Sequence, residues 1–177
     1  MRLLYTLAIQ LYGLIAHVLA LFQPKAKLWI EGQSTWKSEL KGLENGSRPI
    51  WFHCASVGEF EQARPIIEKI NDSNPEIPIL LTFFSPSGFE LHKDYRFAKC
   101  VAHLPLDTPE NAREFLDVTK PRAIVFVKYE LWFNFIQAFS AQKIPSVLIS
   151  AFFHNKHLLL RCPGRILGKN LESFTQV

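Results

Sequence analysis

Residues 50–59 read Ile50-Trp51-Phe52-His53-Cys54-Ala55-Ser56-Val57-Gly58-Glu59, a largely apolar run that ends in small residues before a glutamate. A continuous apolar run is typical of a strand buried on both faces of a parallel sheet. We expect an amphipathic helix to follow it over residues 59–71. In open α/β sheets, ligands bind outside the carboxyl ends of the strands. The turn after this strand is therefore a candidate functional site.

Glu59 in this turn has two interpretations. A carboxylate beside Gly58, a residue type that lets a substrate come close to the backbone, is where an α/β enzyme would keep a general base. Ser56 and Glu59 also have the spacing of a capping box, in which both side chains satisfy free amides of the first helical turn. The spacing alone leaves both interpretations open.

The rest of the body alternates between apolar strands and amphipathic helices. The predicted strands are residues 49–54, 77–83, 99–104, 122–127 and 145–150. The predicted helices are residues 59–71, 86–93, 109–118 and 131–142. This alternation predicts an α/β fold with a doubly wound parallel sheet. Ser85-Pro86 and Thr108-Pro109 are N-caps followed by proline at the first helical position.

Polar turns follow the other predicted strands, and in a parallel sheet all these turns lie along one edge. Residues 85–88 have the sequence Ser-Pro-Ser-Gly. Such a turn either binds an anion through backbone amides at a helix start or forms an ordinary capped turn. On the first interpretation, Ser85, Ser87 and Gly88 are candidate binding residues.

Two further side chains near the strand ends are titratable. Glu130 lies between apolar runs, where an acid is usually either functional or paired, here with Lys128 or a helix amide. His53 lies within a strand, where a satisfied core histidine is more common than a base.

The composition limits the class of protein. The 177 residues suffice for one full domain, and a net charge of +4 with a pI near 9.0 fits an anionic partner. No arginine-rich run or RNA-binding aromatic signature supports nucleic acid as that partner. Cys54, Cys100 and Cys162 are far apart, which indicates free thiols in a reducing compartment and no metal-ligand spacing. A dinucleotide fingerprint, a Walker motif and a nucleophile elbow are also absent.

Residues 3–22 contain no charged side chain and are long enough to cross a bilayer. A cleaved signal peptide, a single span and a monotopic anchor helix are the three interpretations. Residues 18–20 make a poor cleavage site, which favours an anchor helix over residues 1–22 or a single span. Residues 23–46 are predicted to be an amphipathic connector with a second helix over residues 29–43.

Four segments together resemble 3-deoxy-D-manno-octulosonic acid (Kdo) transferase of lipopolysaccharide assembly. They are Trp-x-His-x-x-Ser-Val-Gly-Glu in residues 51–59, Thr-x-x-Ser-Pro-Ser-Gly in 82–88, Leu-Pro-x-Asp-x-Pro in 104–109 and Glu-Leu-Trp-x-Asn in 130–134. The four occur in the family's order, and the likeness covers nearly the whole chain. In this family, a membrane-associated GT-B glycosyltransferase moves Kdo from CMP-Kdo to a lipid A precursor on the cytoplasmic face of the inner membrane.

The resemblance implies a Rossmann-like acceptor-binding domain over residues 47–154, followed by a basic segment, 155–177, that leads to a donor-binding domain. It implies that Glu59 is the catalytic base. The acceptor-binding residues that it implies are Ser56, Gly58, Ser85, Ser87, Gly88 and Glu130. The expected partners are CMP-Kdo, the lipid acceptor and the membrane surface, with no nucleic acid, no cofactor and no metal.

The chain departs from the family pattern at Lys128, where an acid is common, and at Phe152, where an arginine is usual. Because the family binds its donor in the C-terminal half, we expect the 177-residue chain alone to lack transferase activity. Two alternatives remain: a non-catalytic membrane-associated binding module, and a GT-B transferase that uses another sugar nucleotide.

Overall fold

Helices and strands alternate along the chain in the computed structural model, which describes residues 2–43, 46–151 and 173–176. The helices are α1 (Arg2–Ala20), α2 (Pro24–Glu39), α3 (Val57–Ser73), α4 (Pro86–His92), α5 (Pro109–Thr119) and α6 (Phe133–Ala141). The strands are β1 (Ile50–Cys54), β2 (Ile79–Phe83), β3 (Cys100–His103), β4 (Ala123–Val127) and β5 (Ser146–Ile149). The strands and helices predicted for the body are confirmed, with ends that differ by at most two residues.

Some of the predicted features fall outside the described residues. Most of the basic segment predicted over residues 155–177 lies there, as does the departure from the family pattern at Phe152. Cys162 also lies outside the described residues. At the end of that segment, Gln176 forms an isolated parallel bridge with Val147 of β5.

The five strands form one parallel sheet in the order β3-β2-β1-β4-β5. Strand β1 is central, with Trp51 opposite Leu80 of β2 and Ile124 of β4. The chain builds β2 and β3 on one side of β1 and then β4 and β5 on the other. The strand order therefore reverses between β1 and β4, and such a switch point opens a crevice at the carboxyl ends of its two strands.

Side chains of β1 alternate between two apolar cores, one on each face of the sheet. Trp51 lies in one core with Trp36 of α2 and Phe115 of α5, whereas Phe52 shares the other core with Phe60 of α3. Full burial of one such side chain contributes about 1.5–3 kcal/mol. Helices cover both faces, so the doubly wound arrangement is confirmed.

Helix α6 begins at Phe133, two residues later than predicted. The apolar pattern extends further back, through Trp132, and so predicted an earlier start. In the structure, the carboxylate of Asp107 accepts hydrogen bonds from the backbone amides of Asn134 (3.1 Å) and Phe135 (2.9 Å). A side chain remote in sequence thus caps the helix and leaves Trp132 in the preceding turn.

Helix α2 starts at Pro24 and ends at Glu39, whereas a helix over residues 29–43 was predicted. Pro24 is at the first helical position, where a missing N–H is tolerated. The first turn also carries the exposed Lys25 and Lys27, so the apolar pattern becomes visible only one turn later.

The predicted connector is part of the domain, because α2 lies along the edge strand β3. The side chain of Gln33 accepts a hydrogen bond from the backbone amide of Leu106 at 2.6 Å. Glu39 accepts one from the amide of His103 at 2.8 Å. β3 is at the edge of the sheet, so amides on its outer side have no neighbouring strand to bond to. The side chains of α2 provide acceptors for two amides at and just after the end of this strand.

Helix α1 is long and apolar enough to cross a membrane, and 11% of its residues Leu3–Ala20 are buried. Its inner face contacts the domain: the Tyr5 hydroxyl donates to Asp107 at 2.7 Å, and a Cβ at Gly13 would lie 2.9 Å from Leu106. Its outer face exposes large apolar side chains, among them Leu3, Leu4, Leu7, Leu11, Leu14 and Val18. One face of α1 thus rests on the protein and the other is uncovered.

Candidate active site

Two carboxylates flank the switch point of the sheet. Glu59 lies in the first turn of α3, directly after β1, and Glu130 lies in the turn that follows β4. Strands β1 and β4 are neighbours, with His53 opposite Phe126 near their carboxyl ends. The structure therefore brings together two residues that the sequence singled out separately.

The capping box predicted from Ser56 and Glu59 is confirmed. Ser56 has the extended backbone of an N-cap residue, and its amide donates a hydrogen bond to Glu59 Oε2 at 3.2 Å. A carboxylate offers about four acceptor positions on its two oxygens. The capping bond is therefore compatible with proton transfer, and the catalytic role of Glu59 stays a prediction.

Burial raises the pKa of the half-buried Glu59 carboxyl above its ordinary value, and the negative charge of Glu130 raises it further. The nearby His53, and hydrogen bonds from the backbone amides of Ala55 and Ser56, lower the pKa but do not cancel the increase. A raised pKa makes the carboxylate a stronger base, and a general base works best when its pKa is near the operating pH. The surroundings of Glu59 therefore suit a base better than those of an exposed capping residue would.

The side chain of Glu130 is 18% exposed, and its Oε2 lies 3.7 Å from Nε2 of His53. The sequence offered Lys128 as a partner, but within the described part of the chain no ion pair joins the two. Lys128 instead adopts left-handed backbone (φ 61°) in the turn after β4. Glu130 is therefore partly exposed at the switch point and has the buried His53 as a neighbour.

His53 is fully buried, and both of its ring nitrogens have partners. Trp132 Nε1 donates to His53 Nε2 at 3.1 Å, so the histidine carries its proton on Nδ1 and donates to Thr82 Oγ1 at 3.0 Å. The same oxygen accepts from Trp51 Nε1 at 2.8 Å and donates to the carbonyl of Phe52 at 3.3 Å. Every donor has an acceptor in this assignment. The prediction of a satisfied core histidine is confirmed.

Gly58 is exposed in the first turn of α3. A Cβ at this position would meet no heavy atom within 4 Å. Glycine within a helix is destabilising by roughly 0.5–1 kcal/mol relative to alanine, and the packing of the protein does not require it here. This open space would let a substrate come close to the backbone, as predicted from the sequence. That role of Gly58 stays a prediction.

The turn before α4 is a capped helix start. The hydroxyl of Ser85 accepts a hydrogen bond from the amide of Gly88 at 3.4 Å, and Pro86 is at the first helical position. Gly88 is buried, and a Cβ there would lie 2.5 Å from Phe83 Cδ1. Close packing of α4 against β2 therefore accounts for this glycine, and the Gly88 amide already has a partner.

The same turn lies beside the Ser56 turn, because the amide of Ser85 donates to the carbonyl of Ala55 at 2.9 Å. Ser87 is exposed and Ser85 is half-buried. The structure thus brings the two serine turns together at one edge of the sheet. Acceptor binding by Ser85, Ser87 and Gly88 stays a prediction.

Asp107 is a structural centre that sequence analysis missed. It is fully buried, and besides capping α6 it accepts a hydrogen bond from the Tyr5 hydroxyl. Its backbone carbonyl also accepts from Nδ2 of Asn134 at 2.7 Å. The signal was present in the sequence, because Asp107 and Asn134 are both defined positions in two of the four family-like segments.

A cysteine thiol, that of Cys54 at the end of β1, also lies near the two carboxylates. Burial, followed by the charges of Glu59 and Glu130, raises the pKa of the Cys54 thiol well above its ordinary value, so it remains protonated. Cys54 and Cys100 are buried free thiols, as predicted. In residues 2–43, 46–151 and 173–176, no group of three His, Cys, Asp or Glu side chains could hold a metal ion.

The described residues form an open parallel α/β sheet, the class of fold in which ligands bind at the carboxyl edge, and two carboxylates flank its switch point. The sequence profile of 3-deoxy-D-manno-octulosonic-acid transferase (kdotransferase) matches residues 25–177, and the chain belongs to this family.

Individual relatives carry the same name. A 3-deoxy-D-manno-octulosonic acid transferase of Aquifex aeolicus is 36% identical over 113 residues, which are 63% of this chain and 30% of the relative. A probable mitochondrial one of Arabidopsis thaliana is 37% identical, over 72% of this chain and 29% of the relative. One of Haemophilus influenzae is 35% identical, over 58% of this chain and 24% of the relative. The chain thus spans less than a third of the length of these relatives.

Proposed function

We propose that this chain is the acceptor-binding, N-terminal part of a GT-B glycosyltransferase with a Rossmann-like domain. The complete enzyme moves Kdo from CMP-Kdo to a lipid A precursor in lipopolysaccharide synthesis. Membership of the family supports the donor and acceptor. The observation that carries the proposal is Glu59, a half-buried carboxylate of raised pKa at the switch point of the sheet.

In this proposal Glu59 is the general base. It removes the proton from a glucosamine hydroxyl of the acceptor while that oxygen forms a bond to the anomeric carbon of Kdo. The bond from this carbon to the phosphate oxygen breaks, and CMP leaves with the bonding electrons as an anion. A positioned base of this kind contributes about 10²- to 10⁴-fold in rate.

Glu130 has two roles in this proposal. Its charge keeps the pKa of Glu59 raised, so that the base is stronger. Its side chain is partly exposed and is available to an acceptor hydroxyl or amide. Gly58 and the two serine turns form the rest of the acceptor site, since they lie on the same edge of the sheet.

The outer face of α1 attaches the protein to the cytoplasmic surface of the inner membrane. The inner face of α1 is held against Asp107 and Leu106, which supports a helix that lies in the interface rather than one that crosses the bilayer. Lys25 and Lys27 follow α1 and suit an anionic leaflet. The acceptor is itself a lipid, so this attachment delivers the site to its substrate.

Membrane attachment is tested by sedimentation with vesicles that contain an anionic phospholipid. Deletion of residues 1–22 should weaken binding and raise solubility. Because that deletion also removes the Tyr5–Asp107 contact, a second variant replaces the exposed Leu7, Leu11 and Leu14 by glutamine and keeps the inner face. Equal sedimentation of the intact chain and both variants would contradict the attachment.

On this proposal the 177-residue chain is the N-terminal part of a longer transferase. The activity test compares the chain alone with that longer protein. Transfer from CMP-Kdo to a lipid A precursor is expected from the longer protein and absent from the chain alone. Kdo transfer by the chain alone would contradict the assignment of the donor site to another domain. Activity only with a different CMP- or UDP-sugar would favour another GT-B transferase, and no transfer with any donor would favour a binding module.

A further inference from the structure

A groove of about 300 Å³ lies between α1, α2 and the turn that follows β2. Its lining is mostly apolar and includes Tyr12, Ala16, Ala26, Trp29, Phe84 and Ser85. Ile15 and Leu19 also line it and are 48% and 41% exposed, so the groove is continuous with the apolar outer face of α1. Its volume is at the lower end of the range for small-molecule sites. A single slender apolar ligand could therefore enter it from a lipid surface.

Trp29 in this groove has a buried donor without an acceptor. Trp29 is 6% exposed, yet its Nε1 has no hydrogen-bond partner among the described residues. The rings of Tyr12 and Phe84 hold the indole in place, with centroids 5.5 Å and 5.4 Å away. Buried indole N–H groups usually have a partner. An occupant of the groove that carries an acceptor could therefore supply the partner that this N–H lacks among the described residues.

The groove leads towards the carboxylates of the candidate active site. Ser85 at its end donates its amide to Ala55, the residue before the capping box. The ring of Phe84 contacts that of Trp132, with centroids 4.7 Å apart, and Trp132 is bonded to His53. The Ser85 end of the groove thus adjoins the turn that precedes Glu59.

We infer that the groove holds one acyl chain of the lipid acceptor, whose amide or ester carbonyl accepts a hydrogen bond from Trp29 Nε1. This inference rests on the proposed function, because it assigns part of the acceptor in that activity. The methylenes match the apolar walls, and each one that is buried adds about fourfold in affinity. The exposed Lys25 at the groove suits the anionic head group of such a lipid.

The position of the chain is tested by photolabelling. The probe is glucosamine 1-phosphate carrying an amide-linked acyl chain of myristoyl length with a diazirine, in vesicles of phosphatidylethanolamine and phosphatidylglycerol. We expect labels on groove residues such as Trp29 and Phe84. Labels confined to Leu7, Leu11 and Leu14 of the outer face would indicate general insertion into lipid and would overturn the inference.

The carbonyl contact is tested with Trp29→Phe, which removes the N–H and keeps an aromatic ring. Affinity for the N-acyl probe should fall about 2- to 10-fold, as expected for one lost hydrogen bond. Affinity for an N-alkyl probe of equal length, which lacks the carbonyl, should change less. Equal effects on both probes, or none, would overturn the inference. Trp36→Phe is the matched control, because Trp36 is buried in the core away from the groove.

The groove itself is tested with Ala26→Leu, which narrows it from the side of α2. Binding of both probes should weaken, whereas Ala141→Leu on the exposed end of α6 should leave binding unchanged. Unchanged binding in Ala26→Leu would overturn the inference. These assays need no donor, so they are independent of activity. Kdo transfer by the longer protein without labelling of the groove would refute this inference alone, and labelling without transfer would refute the proposed function alone.

Discussion

The hydroxyl of Tyr5 in α1 donates a hydrogen bond of 2.7 Å to the carboxylate of Asp107, 102 residues further along the chain. The same carboxylate accepts the first free amides of α6, where the helix dipole also favours a negative charge. One buried group therefore joins the apolar N-terminal helix to the helix that follows the Glu130 turn. The exposed apolar face of α1 and the candidate active site are thereby held in a fixed relation.

Asp107→Asn should destabilise the protein by about 1–3 kcal/mol. The substitution replaces one carboxylate oxygen by an NH₂ group, which cannot accept a hydrogen bond, so a buried donor now bonded to that oxygen loses its acceptor. Tyr5→Phe removes only one hydrogen bond and should have a smaller effect, since the carboxylate keeps both amides. Urea unfolding measures the two free energies. The control is Glu110→Gln, an exposed carboxylate on α5. An Asp107→Asn variant as stable as this control would show that the carboxylate does not hold the two helices.

The substitution Glu59→Gln distinguishes a catalytic role of this residue from a purely structural role in the capping box. Glutamine also serves in a capping box, so the free energy of unfolding should be nearly unchanged. If Glu59 is the base, kcat of the complete transferase should fall by about 10² to 10⁴, with little change in acceptor binding. Steady-state transfer kinetics and an acceptor-binding assay measure the two effects.

Ser56→Ala is the matched control for this substitution. It removes the serine half of the cap and keeps the carboxylate, so it should cost about 0.5–2 kcal/mol of stability. Its effect on kcat should be smaller than that of Glu59→Gln. If Glu59→Gln retains more than about a tenth of the turnover, the capping box is the better explanation of this residue.

Glu130→Gln should change the pH dependence of the reaction. The charge of Glu130 raises the pKa of Glu59, so its removal should lower that pKa. A base is active when deprotonated, and the acidic limb of the kcat/KM profile should therefore move to lower pH. Glu76→Gln, an exposed carboxylate before β2, should leave the limb in place. An unchanged limb in Glu130→Gln would mean that the two carboxylates are not coupled during catalysis.

Gly58→Ala should lower acceptor affinity without loss of stability, whereas Gly88→Ala should lower stability. A Cβ at Gly58 meets open space, so stability should be equal or slightly higher while acceptor affinity falls. A Cβ at Gly88 would lie 2.5 Å from Phe83, and overpacking of this kind costs about 1–3 kcal/mol. Thermal unfolding and acceptor binding measured on both variants distinguish the two roles. Full acceptor affinity in Gly58→Ala would remove the argument that substrate approaches this backbone.

Local patterns were sufficient for the elements of the sheet. Apolar runs and proline-led helix starts such as Thr108-Pro109 depend on neighbours in the chain. The strand predicted over residues 77–83 spans 79–83 in the structure, and α5 starts at Pro109 as predicted. The capping box at Glu59 is equally local. The start of α6 was wrong because its cap, Asp107, comes from another loop, and no local pattern carries that information.

The sequence by itself determined the parallel α/β sheet, the capped turns at its edge and the apolar N-terminal helix, because burial and capping depend on residues a few positions apart. Only the tertiary structure decided which turns meet. The strand order places Glu59 and Glu130 on either side of one switch point, and it buries Asp107 under Tyr5. It also encloses Trp29 with an unbonded indole N–H. Contacts between residues far apart in sequence depend on how the whole chain packs, and that packing gives the candidate active site its charge coupling and its groove.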